Sequence, residues 1–274
     1  MVCALTVFIA AAAQSHAMNW GAEFTGLSWK MDGKDFDRDA LSNKTWATGG
    51  VISMSDEITQ NKIGGSASFF LEGESPLRLG LAAGYGVMPS VSYALDTIDI
   101  YIYSSYLYSE HYNTRWNNKT AYVPLDLYVK YKGRNGGLSF FAGGGADYVM
   151  ARTDYDYNES GDFTNPPYHF TKKGEFAQNK FIPHAQAGLE WFIAKWLSLN
   201  VGAKYLFNAT LDDLTGNVTY IDGSIKKCRM IMVSSPYGEH IDARSTSAAL
   251  QAGERLFKYD FSGLRSSLAL RVYF

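Results

Sequence analysis

Apolar and polar residues alternate along eight segments of the chain with a period of two, the signature of strands whose two faces meet different surroundings. The segments are Asn19–Lys30, Asn61–Glu72, Pro76–Met88, Lys119–Lys132, Leu138–Val149, Asn179–Ile193, Trp196–Asn208 and Gly263–Phe274. In the third, Leu77, Leu79, Leu81, Ala83, Tyr85 and Val87 share one face, and Arg78, Gly80, Ala82, Gly84 and Gly86 share the other. In the last, Leu268, Leu270, Val272 and Phe274 stand opposite Ser267, Ala269, Arg271 and Tyr273. Each run is about 10 residues or slightly longer, the length with which a tilted strand crosses a bilayer.

The connections alternate as strictly as the faces. Short turns follow the second, fourth and sixth segments: Gly73-Glu74-Ser75, the Asn-Gly-containing stretch Gly133–Gly137, and Ala194-Lys195. Long polar stretches follow the first, third, fifth and seventh: Met31–Gln60, Pro89–Asn118, Met150–Gln178 and Ala209–Phe261. One face is nearly free of charge on seven segments, while charges collect on the other. This pattern predicts an all-β fold, a closed eight-stranded antiparallel transmembrane β-barrel with three short periplasmic turns and four long extracellular loops. A soluble up-and-down barrel shares the alternation but turns its polar face outward.

Composition fits the same class. Aromatic residues make up 15% of the 274 positions and tyrosine leads with 19, as interfacial girdles require. No apolar run is long enough for a spanning helix. The net charge of −2, with no Lys/Arg block, gives no footprint for nucleic acid. Val2–Ala13 is a short apolar run, and Ser15 and Ala17 place small residues where a signal peptidase reads, so residues 1–17 are expected to be a signal peptide, although no Lys or Arg precedes the run. The barrel domain is then 18–274. Removing Cys3 with the leader leaves Cys228 alone, without a partner for an internal disulfide.

Three stretches carry a family resemblance: Ala121–Tyr131, Leu138–Ala146 and Phe181–Trp191. They are similar to the small bacterial outer-membrane β-barrel superfamily, which includes the OmpA transmembrane domain and OmpW-like and opacity-type proteins. Gly263–Phe274 resembles the C-terminal signal of such barrels, in which Leu268, Leu270, Val272 and the closing Phe274 would face the barrel-assembly machinery. The resemblance implies the cell outer membrane, with lipid and lipopolysaccharide as surroundings, a monomer, and no cofactor or metal. The chain departs from the family in its long loops.

The inward rows carry Glu23, Glu72, Arg78, Asp126, Lys130, Asp147, Glu190, Lys204, Arg265 and Arg271. Eight strands enclose little more than side-chain volume, so opposite charges should pair there as a polar lumen network. A narrow ion or solute path, as in a small porin-like channel, is the rival reading. Inward glycines either open space or make room for Arg and Tyr. In the first loop Asp32–Asp39 clusters carboxylates without an EF-hand pattern, and a solvated loop is the simpler reading. Hairpins are expected at Thr97–Tyr108 and at Val218–Val233 around Asp222-Gly223, both above the membrane. For a loop-built hydrolase the material is His111 with Glu110, His169, and His240 with Glu239, Asp242, Ser234 and Ser235. No spacing among them specifies a triad. His184 falls on an inward row as an ordinary lumen histidine. The expected function is a non-enzymatic scaffold whose loops meet an extracellular ligand or the envelope, with the channel as alternative.

Overall fold

The computed structural model describes residues 18–28, 51–60, 63–73, 77–88, 90–103, 106–132, 137–162, 167–235 and 238–274. The expected signal peptide and the Asp32–Asp39 cluster lie outside the described residues. Among the described residues there are sixteen strands and no helix.

Eight strands form the barrel: β1 (Met18–Ser28), β3 (Ile63–Gly73), β4 (Leu77–Val87), β6 (Tyr106–Lys132), β7 (Leu138–Gly161), β8 (Tyr168–Ala194), β9 (Leu197–Leu206) and β16 (Gly263–Tyr273). Each pairs antiparallel with the next along this order, and β16 pairs back onto β1 with Gly21 opposite Tyr273 and Ser28 opposite Ser266. The pairings thus return to their start. Phe274 N–H donates to the Trp20 carbonyl at 2.9 Å and the two rings lie 4.8 Å apart, extending that seam to the last residue.

The outer wall is apolar over the height of the ring. Phe24, Phe69, Leu79, Leu127, Val129, Phe140, Leu189, Val201 and Leu268 are all at least two-fifths exposed. Trp20, Trp191, Trp196 and Phe274 gather at the short-turn end, and Tyr85, Phe181, Tyr205 and Phe207 toward the other. Those two positions are where a bilayer-spanning barrel carries its girdles.

Three barrel strands run further than their patterns predict. β6, β7 and β8 are 27, 24 and 27 residues long, so much of the second and third long connections is strand. Above the ring these strands continue as an open sheet. β5 (Val91–Tyr103) pairs with residues 106–118 of β6, and β2 (Val51–Gln60) pairs with β5. On the opposite side β11 (Thr215–Tyr220) pairs with residues 172–177 of β8, followed by β12 (Ile225–Ser235) and β13 (Gly238–Ser245). Both hairpins read from the sequence are present, at β5–β6 and β11–β12.

The fourth connection also folds inward. β10 (Thr210–Leu211) pairs with β15 (Tyr259–Asp260), and β14 (Glu254–Leu256) pairs with β12. This places Leu211, Leu214, Phe257, Tyr259 and Phe261, each at most 1% exposed, against Trp116, Val149, Ala151, Phe176 and Ile182 of the long strands. The barrel mouth is therefore covered by a second, apolar core.

Candidate functional site in the lumen and above it

Even positions of β6 and odd positions of β7 point inward, as do even positions of β8, which stacks the lumen in layers. The lowest layer, at the short-turn end, centres on the ammonium of Lys130. It donates to Glu72 at 2.6 Å, to Glu190 at 2.7 Å and to the Tyr273 hydroxyl at 2.8 Å. A lysine has three N–H bonds to give, and all three are used. Glu72 also accepts from Arg271 Nη1 and from the Tyr128 hydroxyl, each at 2.8 Å, and Arg78 approaches its other oxygen at 3.6 Å. Arg271 Nε reaches Glu23, which also accepts from Asn200 at 3.1 Å. Ser198 and Tyr273 donate to Glu190, each at 2.5 Å. Three carboxylates thus face three cations, with Glu72, Lys130 and Glu190 wholly buried.

A second layer lies above it. His184 holds Asp126 through Nε2 at 2.6 Å and stands 3.3 Å from Asp147 through Nδ1. Lys204 donates to Asp147 at 2.8 Å and lies 3.5 Å from Asp126. Arg265, 1% exposed, donates to the Phe261 carbonyl at 2.9 Å and so ties this layer to the cap. Between the layers is a cavity of about 50 Å³, bordered by Ser66, Ser68, Tyr122, Gln186 and Asn200 among others. That is room for a few water molecules.

The inward glycines make room for rings. A Cβ on Gly80 would meet the Tyr128 ring, and one on Gly188 would come within 2.6 Å of the Phe141 ring. Space left by missing side chains is occupied, not open.

Above the charged layers comes a neutral belt. Asn118 donates to Thr153 at 2.8 Å and accepts from Thr120 at 3.1 Å, all three buried. Then the apolar core begins, with Trp116 stacked on Tyr155 at 4.0 Å. In this cap, burial pushes the Tyr259 hydroxyl well above its ordinary range. Burial and the neighbouring Cys228 thiol push Tyr220 up to about 12, and burial raises the Cys228 thiol itself.

The structure brings the ten charged lumen positions into these two layers. Tyr128, Tyr273, Ser198 and Asn200 complete the lower one; their inward parity was visible in the sequence, but their partners were not. Register sets two of the hydrolase candidates, His111 and His169, on either side of Ser160 on adjacent strands, and the third, His240, opposite Val233 of β12. His111 pairs with Asp96 on the exposed side of β5 and β6, His240 lies on β13, and His169 is exposed near the start of β8. Among the described residues no three His, Cys, Asp or Glu side chains are arranged to hold a metal ion.

The ring of eight strands, apolar outside and charged within, defines the fold as an outer-membrane-type β-barrel. The chain matches no family model, and no curated protein sequence matches it. Among solved structures it is similar to a major outer membrane protein from Thermus thermophilus, with 15% identity over 94% of this chain and 100% of that one, at a TM-score of 0.45. It is also similar to the outer membrane protein OprG from Pseudomonas aeruginosa, with 11% identity over 95% and 98% of the two chains and a TM-score of 0.35. A third is the outer membrane protease OmpT from Escherichia coli, with 6% identity over 95% and 98% and a TM-score of 0.26.

Proposed function

We propose that this chain is a non-enzymatic protein of a bacterial outer membrane whose barrel is a closed anchor and whose working part is the sheet raised above the lipid. The observation that carries this reading is Lys130, fully buried inside the ring and saturated between Glu72, Glu190 and Tyr273. A permeating ion would have to break those contacts, and separating a buried pair costs several kcal/mol. The apolar cap above adds a second barrier. In this reading lipid and lipopolysaccharide surround the wall, and Leu268, Leu270, Val272 and Phe274 present the outer face of β16 to the assembly machinery.

Single-channel recording of the refolded protein in planar bilayers tests it. Silence is expected. Reproducible steps that change when Arg78 or Arg271 is replaced would reject the closed anchor. The alternative, a small channel, draws on one feature, the polar cavity between the two ionic layers.

A further inference from the structure

The β11–β12 hairpin ends in a well-formed tip. Thr219 pairs with Ile225, Tyr220 N–H donates to Ser224 at 2.9 Å, and Gly223, at φ 77°, donates back to Tyr220 at 2.9 Å. Such a tip in water is ordinarily polar. Here Ile221 is 52% exposed and Ile225 67%. Away from the barrel wall, Leu250 is the one other large apolar residue exposed by two-fifths or more among the described residues whose side-chain burial is described.

Lys226 and Lys227 follow at once, both exposed. Lys226 stands 5.0 Å from the Tyr220 ring centre, and neither lysine forms an ion pair among the described residues. The neighbouring strand differs: Lys172 pairs with Asp242 at 3.4 Å and Lys173 with Asp156 at 3.3 Å. The acid of the tip, Asp222, is engaged by Ser224 N–H at 2.9 Å. The tip thus joins two exposed apolar side chains to two exposed lysines, of which Lys226 lies over the Tyr220 ring and near Asp222.

Its position says which way it faces. Tyr220 lies opposite Lys172, and β8 runs from there to Ala194 at the short-turn end, roughly 70 Å along the strand. The tip points away from the membrane that holds the barrel.

We propose that this tip docks on a second lipid bilayer bearing anionic headgroups, with Ile221 and Ile225 entering the interface and Lys226 and Lys227 meeting phosphates. Charge complementarity selects this occupant, since basic residues beside inserted apolar side chains favour an anionic membrane surface. A folded acidic protein would need a shaped pocket for each isoleucine; a fluid surface needs none. The inference rests on the reading of the raised sheet as the working part.

The test uses the full chain refolded in phosphatidylcholine nanodiscs, mixed with dense vesicles of phosphatidylcholine alone or with added phosphatidylserine. Co-sedimentation with the anionic vesicles is expected, weakening as salt rises. Ile221→Asp with Ile225→Asp should reduce it roughly tenfold or more, since the burial of two isoleucines is lost. Lys226→Glu with Lys227→Glu should reduce it comparably. All four positions are exposed; heat-modifiable migration reports that the barrel of each variant is folded, and unchanged protease resistance of the raised sheet reports the same for the hairpin. Equal binding to both vesicle types, indifference to the isoleucine changes, or equally strong capture by immobilised polyglutamate would each overturn the proposal. Conductance of the same refolded protein in planar bilayers separates the two readings: a silent barrel that ignores vesicles defeats only the docking, whereas a conducting one defeats the closed anchor.

Discussion

The lower and upper halves of β6, β7 and β8 share continuous backbone ladders yet carry opposite surfaces. In the lower half of β6 the outward row is Tyr131, Val129 and Leu127, and the inward row is Lys130, Tyr128 and Asp126. In the upper half the outward row is Lys119, Asn117 and Arg115, and the inward row includes Trp116. β7 changes between Tyr148 and Arg152, and β8 between Phe181 and Glu175. Backbone pairing is indifferent to this exchange; what lies against each face is not. Lipid demands an apolar exterior and a ring of eight strands leaves an interior of matched charges, whereas water above demands a polar exterior and the inserted fourth connection supplies an apolar core.

The largest effect should come from the lower half. Lys130→Met leaves Glu72 and Glu190 buried without their shared cation, at a cost of about 3–5 kcal/mol. Urea unfolding of the refolded protein would measure it. Adding Glu190→Gln alone should recover much of the loss, because Glu72 keeps Arg271 and Arg78 and the layer returns to two carboxylates against two cations; if the double variant is no better than the single one, the pairing is not what holds the layer. Trp116→Ala removes a comparable amount of packing, about 3 kcal/mol or more, but from the upper core. There the raised sheet should become protease-sensitive while heat-modifiable migration of the barrel persists. Loss of both together would mean that the two halves form one cooperative unit.

Comparing these halves also shows what the sequence could disclose. The barrel wall was legible because lipid keeps a single apolar phase on each strand from turn to boundary. The upper halves were not, because the apolar phase slips by one position near Ala121 and Tyr122: alternation persists, but with its faces exchanged, and a period-two reading stops there. β10, β14 and β15, of two or three residues each, carry no period at all. The charged lumen positions were visible as inward residues, whereas their partners depend on register around the whole ring. Lys130 lies 58 residues from Glu72 and 60 from Glu190.

The boundary itself can be tested on one row of one strand. Leu127→Arg places a cation on the outer face within the apolar band and should cost about 2–4 kcal/mol near its middle. Asn117→Arg, on the same row above the band, should change stability by less than about 0.5 kcal/mol. Equal costs would put the boundary elsewhere. A smaller effect should separate the regions by pH. The neutral Tyr220 hydroxyl is favoured in the fold, its value raised from 10.0 to about 12. Its contribution is therefore complete below pH 10 and declines as pH rises toward 12. Hydrogen exchange at β11 and β12 should show this alkaline loosening, and Tyr220→Phe should remove that part of it.

The smallest effect belongs to an ion pair that looks as good as those in the lumen. Lys173 and Asp156 stand 3.3 Å apart, closer than the 3.6 Å between Arg78 and Glu72. Distance alone would rank the exposed pair higher. Yet the Lys173 side chain is 67% exposed and that of Asp156 37%, against 11% and 0% for the lumen pair, so water and salt screen the first and barely reach the second. A double-mutant cycle with Lys173→Ala and Asp156→Ala should give a coupling of about 0.2–1 kcal/mol that fades as salt is raised. A salt-insensitive coupling well above that range would show that the outer face of the raised sheet is shielded from water, and the contrast drawn between the two halves of these strands would fall with it.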